Sequence, residues 1–150
     1  MKVLVVDPVG GISGDMLLGG VIHLGCPVAV VEEALNALGL PGWRLDVREE
    51  SVCGIACRSV NFLVKDQARE RTLAGIVEEI LPGLAERPRA KAVRIFEALA
   101  RAEAAVHDVH PHDVHFHEVG ALDSILDICG IAVGLDYLGV EEIRSRPVPL

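Results

Sequence analysis

Aromatic residues are scarce, with 1 Trp, 1 Tyr and 3 Phe among 150 residues. So few flat rings leave little surface for stacking bases or sugars, and they require a core that is aliphatic and alanine-rich. Basic residues are short as well: 14 Lys and Arg against 22 Asp and Glu give a net charge of −8. Without a basic face to meet a phosphate backbone, nucleic acid is not an expected partner. No apolar run approaches the roughly 20 residues that span a bilayer, and the N-terminus lacks the charged region, apolar stretch and cleavage site of an export signal. No membrane partner is expected, and the chain is expected to be cytoplasmic. Cys26, Cys53, Cys57 and Cys129 form no CxxC pair. They are expected as buried small hydrophobes, with a soft-metal site including Cys53 and Cys57 as the alternative. HExxH, GxGxxG and GK[ST] are also missing.

What is present is apolar material: a hydrophobic fraction of 51% and mean hydropathy of +0.39 in about one domain's length. The expected architecture is α/β in the α+β sense. Its mixed central sheet is built from the first strand, a β-hairpin and the last strand, with helices packed on it. Residues 1–150 are expected to be a single N-terminal domain of a larger two-domain protein, because the chain stops on an apolar strand and a PVPL tail.

Val3 to Val6 reads as a buried strand, followed by Asp7, Pro8 and a loop with Gly10, Gly11 and Gly14. Ser13 is placed to cap the helix through Met16 and Ile22. Such a loop can cradle phosphate, although Asp15 puts a carboxylate among the donors; it suits a hydroxyl, a metal or simply the helix dipole. A second helix runs over Val28 to Leu38. Trp43 to Glu50 and Ile55 to Val64 alternate as two strands of a hairpin turning at Gly54. Leu73 to Ile80 has helical spacing, and Pro82, Gly83 and Pro88 punctuate the chain before a scaffold helix from Ala90 to about Val106. A last strand is expected from Glu141 to Arg146.

The densest chemistry lies in Val114 to Gly130, VHFHEVGALDSILDICG. If extended, His115 and His117 share a face and Phe116 points inward, with Glu118 following and Gly120 permitting a turn. From Ala121 the pattern is helical, and Asp123, Asp127, Gly130 and Gly134 fall on one stripe. Carboxylates facing apolar surroundings are costly unless paired or on a metal, so two imidazoles and three acids form a candidate site for a divalent cation. The alternative is that Asp123 and Asp127 merely offset the helix dipole. His107, His110 and His112 read as a solvated loop, and His23 as structural.

Together, DPVGGISGDMLLGG at residues 7–20 and VHFHEVGALDSILDICG at residues 114–130 resemble the nickel-insertion protein of nickel-pincer cofactor biosynthesis. GLPGWRLDVREE and LDYLGV extend the likeness along the chain. The resemblance implies a nickel chelatase of lactate racemase maturation. Such an enzyme places nickel between two sulfurs and a ring carbon of pyridinium-3,5-bisthiocarboxylic acid mononucleotide while CTP is hydrolysed to CMP and pyrophosphate. It also implies that CTP, with Mg or Mn, is held by a C-terminal half. This domain would then supply the metal and mononucleotide site and be inactive alone.

Expected partners are the mononucleotide, that C-terminal half, a cofactor-using racemase and further copies in a homo-oligomer. On this reading His115, His117, Glu118 and Asp123 hold or deliver nickel. Asp7, Gly10, Gly11, Ser13, Gly14 and Asp15 bind the organic ligand, with Asp7, Ser13 and Asp15 as one wall of a pocket and His115, His117, Glu118, Asp123 and Asp127 as the other, provided the first strand and the last helix are neighbours. Glu118, Asp123, Asp127 and Asp15 are the catalytic candidates, as proton acceptors or as carboxylates that orient the imidazoles. Two departures stand out: DQARERTLAG carries no histidine where relatives have a histidine-rich stretch, and Gly10 stands where they usually have serine. A nickel carrier without chemistry and a magnesium-dependent phosphate-ester hydrolase are the competing readings.

Overall fold

The computed structural model describes residues 1–65, 71–116 and 119–147. Its elements are β1 (Val3–Val6), α1 (Gly14–His23), α2 (Val28–Asn36), β2 (Trp43–Val52), β3 (Ile55–Val64), β4 (Arg71–Thr72), α3 (Leu73–Gly75), α4 (Glu86–His107), β5 (His115–Phe116), α5 (Leu122–Tyr137) and β6 (Glu142–Ser145). The expected mixed α/β class is what forms.

The helix α5 is the centre. Ile125, Leu126, Cys129, Ile131, Ala132, Val133 and Leu135 are all buried, so it has almost no solvated face and must be covered from several sides. The helices α1, α2 and α4 and the strand β3 cover it. On α4 the buried stripe is Ala92, Phe96, Ala100 and Ala104, with Val93 and Leu99 partly buried beside it. Phe96 meets Phe116 of β5 with ring centroids 6.4 Å apart. The helix begins at Glu86, ahead of the expected Ala90. Pro88 falls in its first turn, where the missing N–H has no intrahelical acceptor to lose.

The small residues of α5 set its packing on α1. A Cβ on Gly14 would lie 2.7 Å from Asp127 Oδ2, on Gly130 3.1 Å from Leu18 Cδ2, and on Gly134 2.2 Å from Val21 Cγ1. The pairs Gly14–Asp127, Leu18–Gly130 and Val21–Gly134 ascend together along both helices, so α1 and α5 run parallel with their N-termini at the same end. The stripe read from the sequence as Asp123, Asp127, Gly130 and Gly134 is thus the seam against α1. Both helices stop in the same way. Gly25 and Gly139 take left-handed angles, and Cys26 and Val140 donate back to the carbonyls of Val21 and Leu135.

The hairpin is longer than expected, pairing Trp43↔Val64 through Val52↔Ile55. Cys53 and Gly54 both have positive φ, 51° and 79°, which matches the twist of a tight two-residue turn. Its apolar side, Leu45, Val60 and Phe62, is buried, with Trp43 edge-on to Phe62 at 5.9 Å.

The expected single central sheet is corrected. The described strands form three two-stranded sheets: β1 with β6 in parallel, β2 with β3 antiparallel, and β4 with β5 antiparallel. The physical reason is the demand of α5 and α1 for cover. The hairpin lays its apolar face on those helices instead of extending β1, and Gly19 lets the carbonyl of Arg58 come so close that a Cβ would sit 2.3 Å from it. The expected helix over Leu73 to Ile80 is a single turn, α3, followed by a π-helical turn over Ile76–Ile80 in which Leu81 N–H reaches the Ile76 carbonyl.

Candidate functional site

The parallel seam brings the start of α1 and the start of α5 together, and the acids of the two segments meet there. Asp127 is the deepest. Its Oδ2 faces Gly14, and its Oδ1 is buried with no hydrogen-bond partner. Burial, then the charges of Asp15 and Asp123, push its carboxyl up from 3.8 to about 7. Asp15 and Asp123 are exposed above it. Each turns a carboxylate oxygen onto its own helix start: Asp15 Oδ1 accepts from Met16 N at 2.9 Å, and Asp123 Oδ1 from Ser124 N at 2.8 Å.

Ser13 takes the N-cap position, but its side chain makes no cap hydrogen bond; its hydroxyl donates to Asp15 Oδ1. Asp15 therefore already occupies donors that an anion would use at the start of α1. Two exposed acids thus stand over one whose carboxyl is pushed up to about 7, where it can exchange a proton near neutrality.

The loop before α1 is shaped by Gly10 and Gly11, at φ 84° and 107°, and by Gly11 N donating to the Pro8 carbonyl at 3.2 Å. Asp7 stands at the carboxyl end of β1 and pairs with Arg146 at 3.1 Å, one residue beyond β6. That pair is exposed, and the strand ends are joined by their backbones, with Arg146 N donating to the Val6 carbonyl at 3.0 Å, while Asp15 joins the acidic cluster.

On the other side, Phe116 is buried and His115 exposed, as the alternation requires, with His115 opposite Thr72 in the β4–β5 pair. Gly120 is needed for space: a Cβ would lie 2.5 Å from the Phe116 carbonyl oxygen, and its own carbonyl accepts from Arg71 Nη1 at 2.5 Å. The candidates His117 and Glu118 lie outside the described residues. Among the described residues no three His, Cys, Asp or Glu side chains are placed to hold a metal ion together.

The thiols divide as their burial dictates. Cys26 and Cys129 are buried, and desolvation raises both, Cys129 to about 12, so neither is a ready thiolate. Cys53 is not buried as expected: it takes a positive φ in the exposed hairpin turn, and Cys57 is half-buried on β3 opposite Glu50.

A groove of about 450 Å³ runs from Asp15 along α1 past Gly20 to His23, with β3, including Arg58, as its other wall. The sequence reading passed over Gly20 and Arg58. They lie far apart in the chain, and the only local signal was a glycine pair inside a helix.

Residues 4–150 match the family model described as nickel insertion protein. Curated relatives carry the name "Putative nickel insertion protein". That of Syntrophobacter fumaroxidans is 45% identical over 100% of this chain and 39% of its own length. That of Citrifermentans bemidjiense is 44% identical over 99% and 39%, and that of Thermomicrobium roseum 44% over 100% and 37%. The chain thus spans about two fifths of the length of these relatives. No solved structure matches it. With the match running over nearly every residue, the two segments that build the acidic site included, the chain belongs to the nickel insertion protein family.

Proposed function

We propose that this chain supplies the metal- and substrate-binding part of a nickel chelatase that acts on pyridinium-3,5-bisthiocarboxylic acid mononucleotide. The observation that carries the proposal is Asp127, a carboxyl with an orphaned buried oxygen that is poised near neutrality beneath Asp15 and Asp123. Nickel is substrate here. The two exposed acids draw the hydrated ion in, and His115 and His117 deliver it, since imidazole suits Ni(II). As the metal–carbon bond forms, the ring C–H bond breaks, its electron pair goes to nickel and its proton goes to the Asp127 carboxylate. Glu118 is the second candidate for that proton, and Asp123 orients the imidazoles. CTP, with Mg or Mn, belongs on this reading to the part of the longer protein outside this chain, and no step above passes through it.

Titration calorimetry tests the reading. Nickel binding by the chain is expected to weaken at least tenfold in Asp127→Asn and to be lost in the double variant His115→Ala, His117→Ala. Nickel binding indifferent to these changes, or binding of magnesium alone, would sink it; the second result points to a phosphate-ester hydrolase. Nickel binding without insertion into the mononucleotide by the full-length, CTP-supplied protein would leave a carrier.

A further inference from the structure

The strands β1 and β6 form a parallel pair that is left half open. Val3 to Val6 is an unbroken apolar run, the pattern of a strand covered on both faces, and parallel strands ordinarily lie in a sheet with helices over them. Here Val5 is 64% exposed and Ile143, on β6, is 52% exposed. The register sets Leu4 beside Ile143 and Val5 beside Arg144, so apolar side chains are open to water on both faces of the pair. Among the described residues neither strand has a second neighbour.

At Ile143 a groove of about 860 Å³ runs between β6 and α4. Ile95, Ala98 and Leu99 line it from α4, and Leu135 and Val140 from the end of α5. From Lys91 to Arg101 the α4 side is about 15 Å long at the helical rise, which matches about ten residues of a second helix laid beside it. The charges on its banks are not equally engaged. Lys91 is paired with Asp136 at 2.8 Å and Glu142 with Arg144 at 2.7 Å. Arg94 and Arg101, two turns apart on α4 with Glu97 between them, enter no ion pair among the described residues. An apolar groove with two free guanidinium groups on one bank fits an amphipathic helix whose acidic flank lies on that side.

The curated relatives have about three fifths of their length outside the part that this chain matches. A further strand laid parallel to β6 would have to be reached through a crossover, usually a helix, and that helix lies on a face of the sheet. We propose that the groove between α4 and β6 is the docking site for an amphipathic helix from the part of the longer protein outside this chain. Its apolar stripe lies on Ile95, Leu99 and Ile143, and its acidic flank runs along Arg94 and Arg101. The proposal rests on the nickel-insertion reading for the further part, and on the open sheet and its groove for the place.

The test compares the same substitutions in this chain and in the full-length protein. Ile143→Glu and Ala98→Glu put a charge at groove positions that the chain alone leaves exposed. In the chain both are expected to leave the thermal midpoint unchanged, and in the full-length protein each is expected to lower it by several degrees. Val106→Glu, at an 80% exposed position of α4 outside the groove, is expected to change neither. Amide exchange over residues 91–101 and 140–145 is expected to be slower in the full-length protein than in the chain, by on the order of tenfold.

Equal midpoint changes in the chain and in the full-length protein would overturn the proposal, as would equal exchange. So would a chain that light scattering shows as a dimer and that Ile143→Glu returns to a monomer, because a second copy would then be the occupant. Failure of the nickel reading looks different. Nickel binding would then ignore Asp127→Asn while the full-length protein still depended on Ile143.

Discussion

Asp127 carries two burdens, a buried oxygen without a partner and two neighbouring negative charges, and both favour its protonated form. Its carboxyl titrates near 7 in the fold against 3.8 ordinarily. The folded state therefore holds a proton that the unfolded chain releases between those values. Its contribution to stability is complete below about pH 4 and is lost as pH rises through about 7. Asp127→Asn is expected to flatten that slope and to be more stable than the parent at pH 8, as thermal melts at pH 5 and pH 8 would show. An equal pH slope in parent and variant would place the burden elsewhere. The sequence showed that Asp127 shared a stripe with Asp123, Gly130 and Gly134. It did not show which of the two acids is buried, because that depends on Gly14 of a distant helix closing over one of them.

Among the elements, α1 and α5 are joined through glycine, and adjacent positions are expected to respond with opposite signs. Gly134→Ala would drive a methyl into Val21, and Gly19→Ala one into the Arg58 carbonyl. Each is expected to cost about 1–3 kcal/mol in chemical denaturation, since a packed seam yields only by moving backbone. Gly20→Ala meets open space and is expected to gain about 0.5–1 kcal/mol from helix propensity. A loss at Gly20 comparable to that at Gly19 would mean that the fold needs both glycines. Periodicity located α1, α2, the hairpin, α4 and α5 to within a few residues because each buries one stripe or face. It failed on the sheet. Alternation says which face of a strand is apolar, and nothing in it says whether that face meets another strand or a helix.

For the molecule as a whole, charge and site act together. A net charge of −8 favours the approach of a divalent cation, and a proton on Asp127 or on the imidazole of His115 weakens that attraction. Nickel affinity is expected to fall by up to about tenfold per unit as pH drops below about 7, and to weaken with added salt, in titrations at fixed temperature. An affinity flat between pH 6 and pH 8 would exclude imidazole ligation of the nickel.

The sequence by itself determined the class of fold, the helix stripe, the inward Phe116 with outward His115, and the two segments that mark the family. These are local periodicities and residue types, legible without coordinates. That Asp15 meets Asp123 and Asp127 was expected from the family resemblance; only the tertiary structure decided that α1 and α5 run parallel, that Asp7 turns to Arg146, and that a groove opens over Gly20. Each of these depends on which surfaces find one another once α5 is covered, and side-chain spacing along a single chain carries no record of that choice.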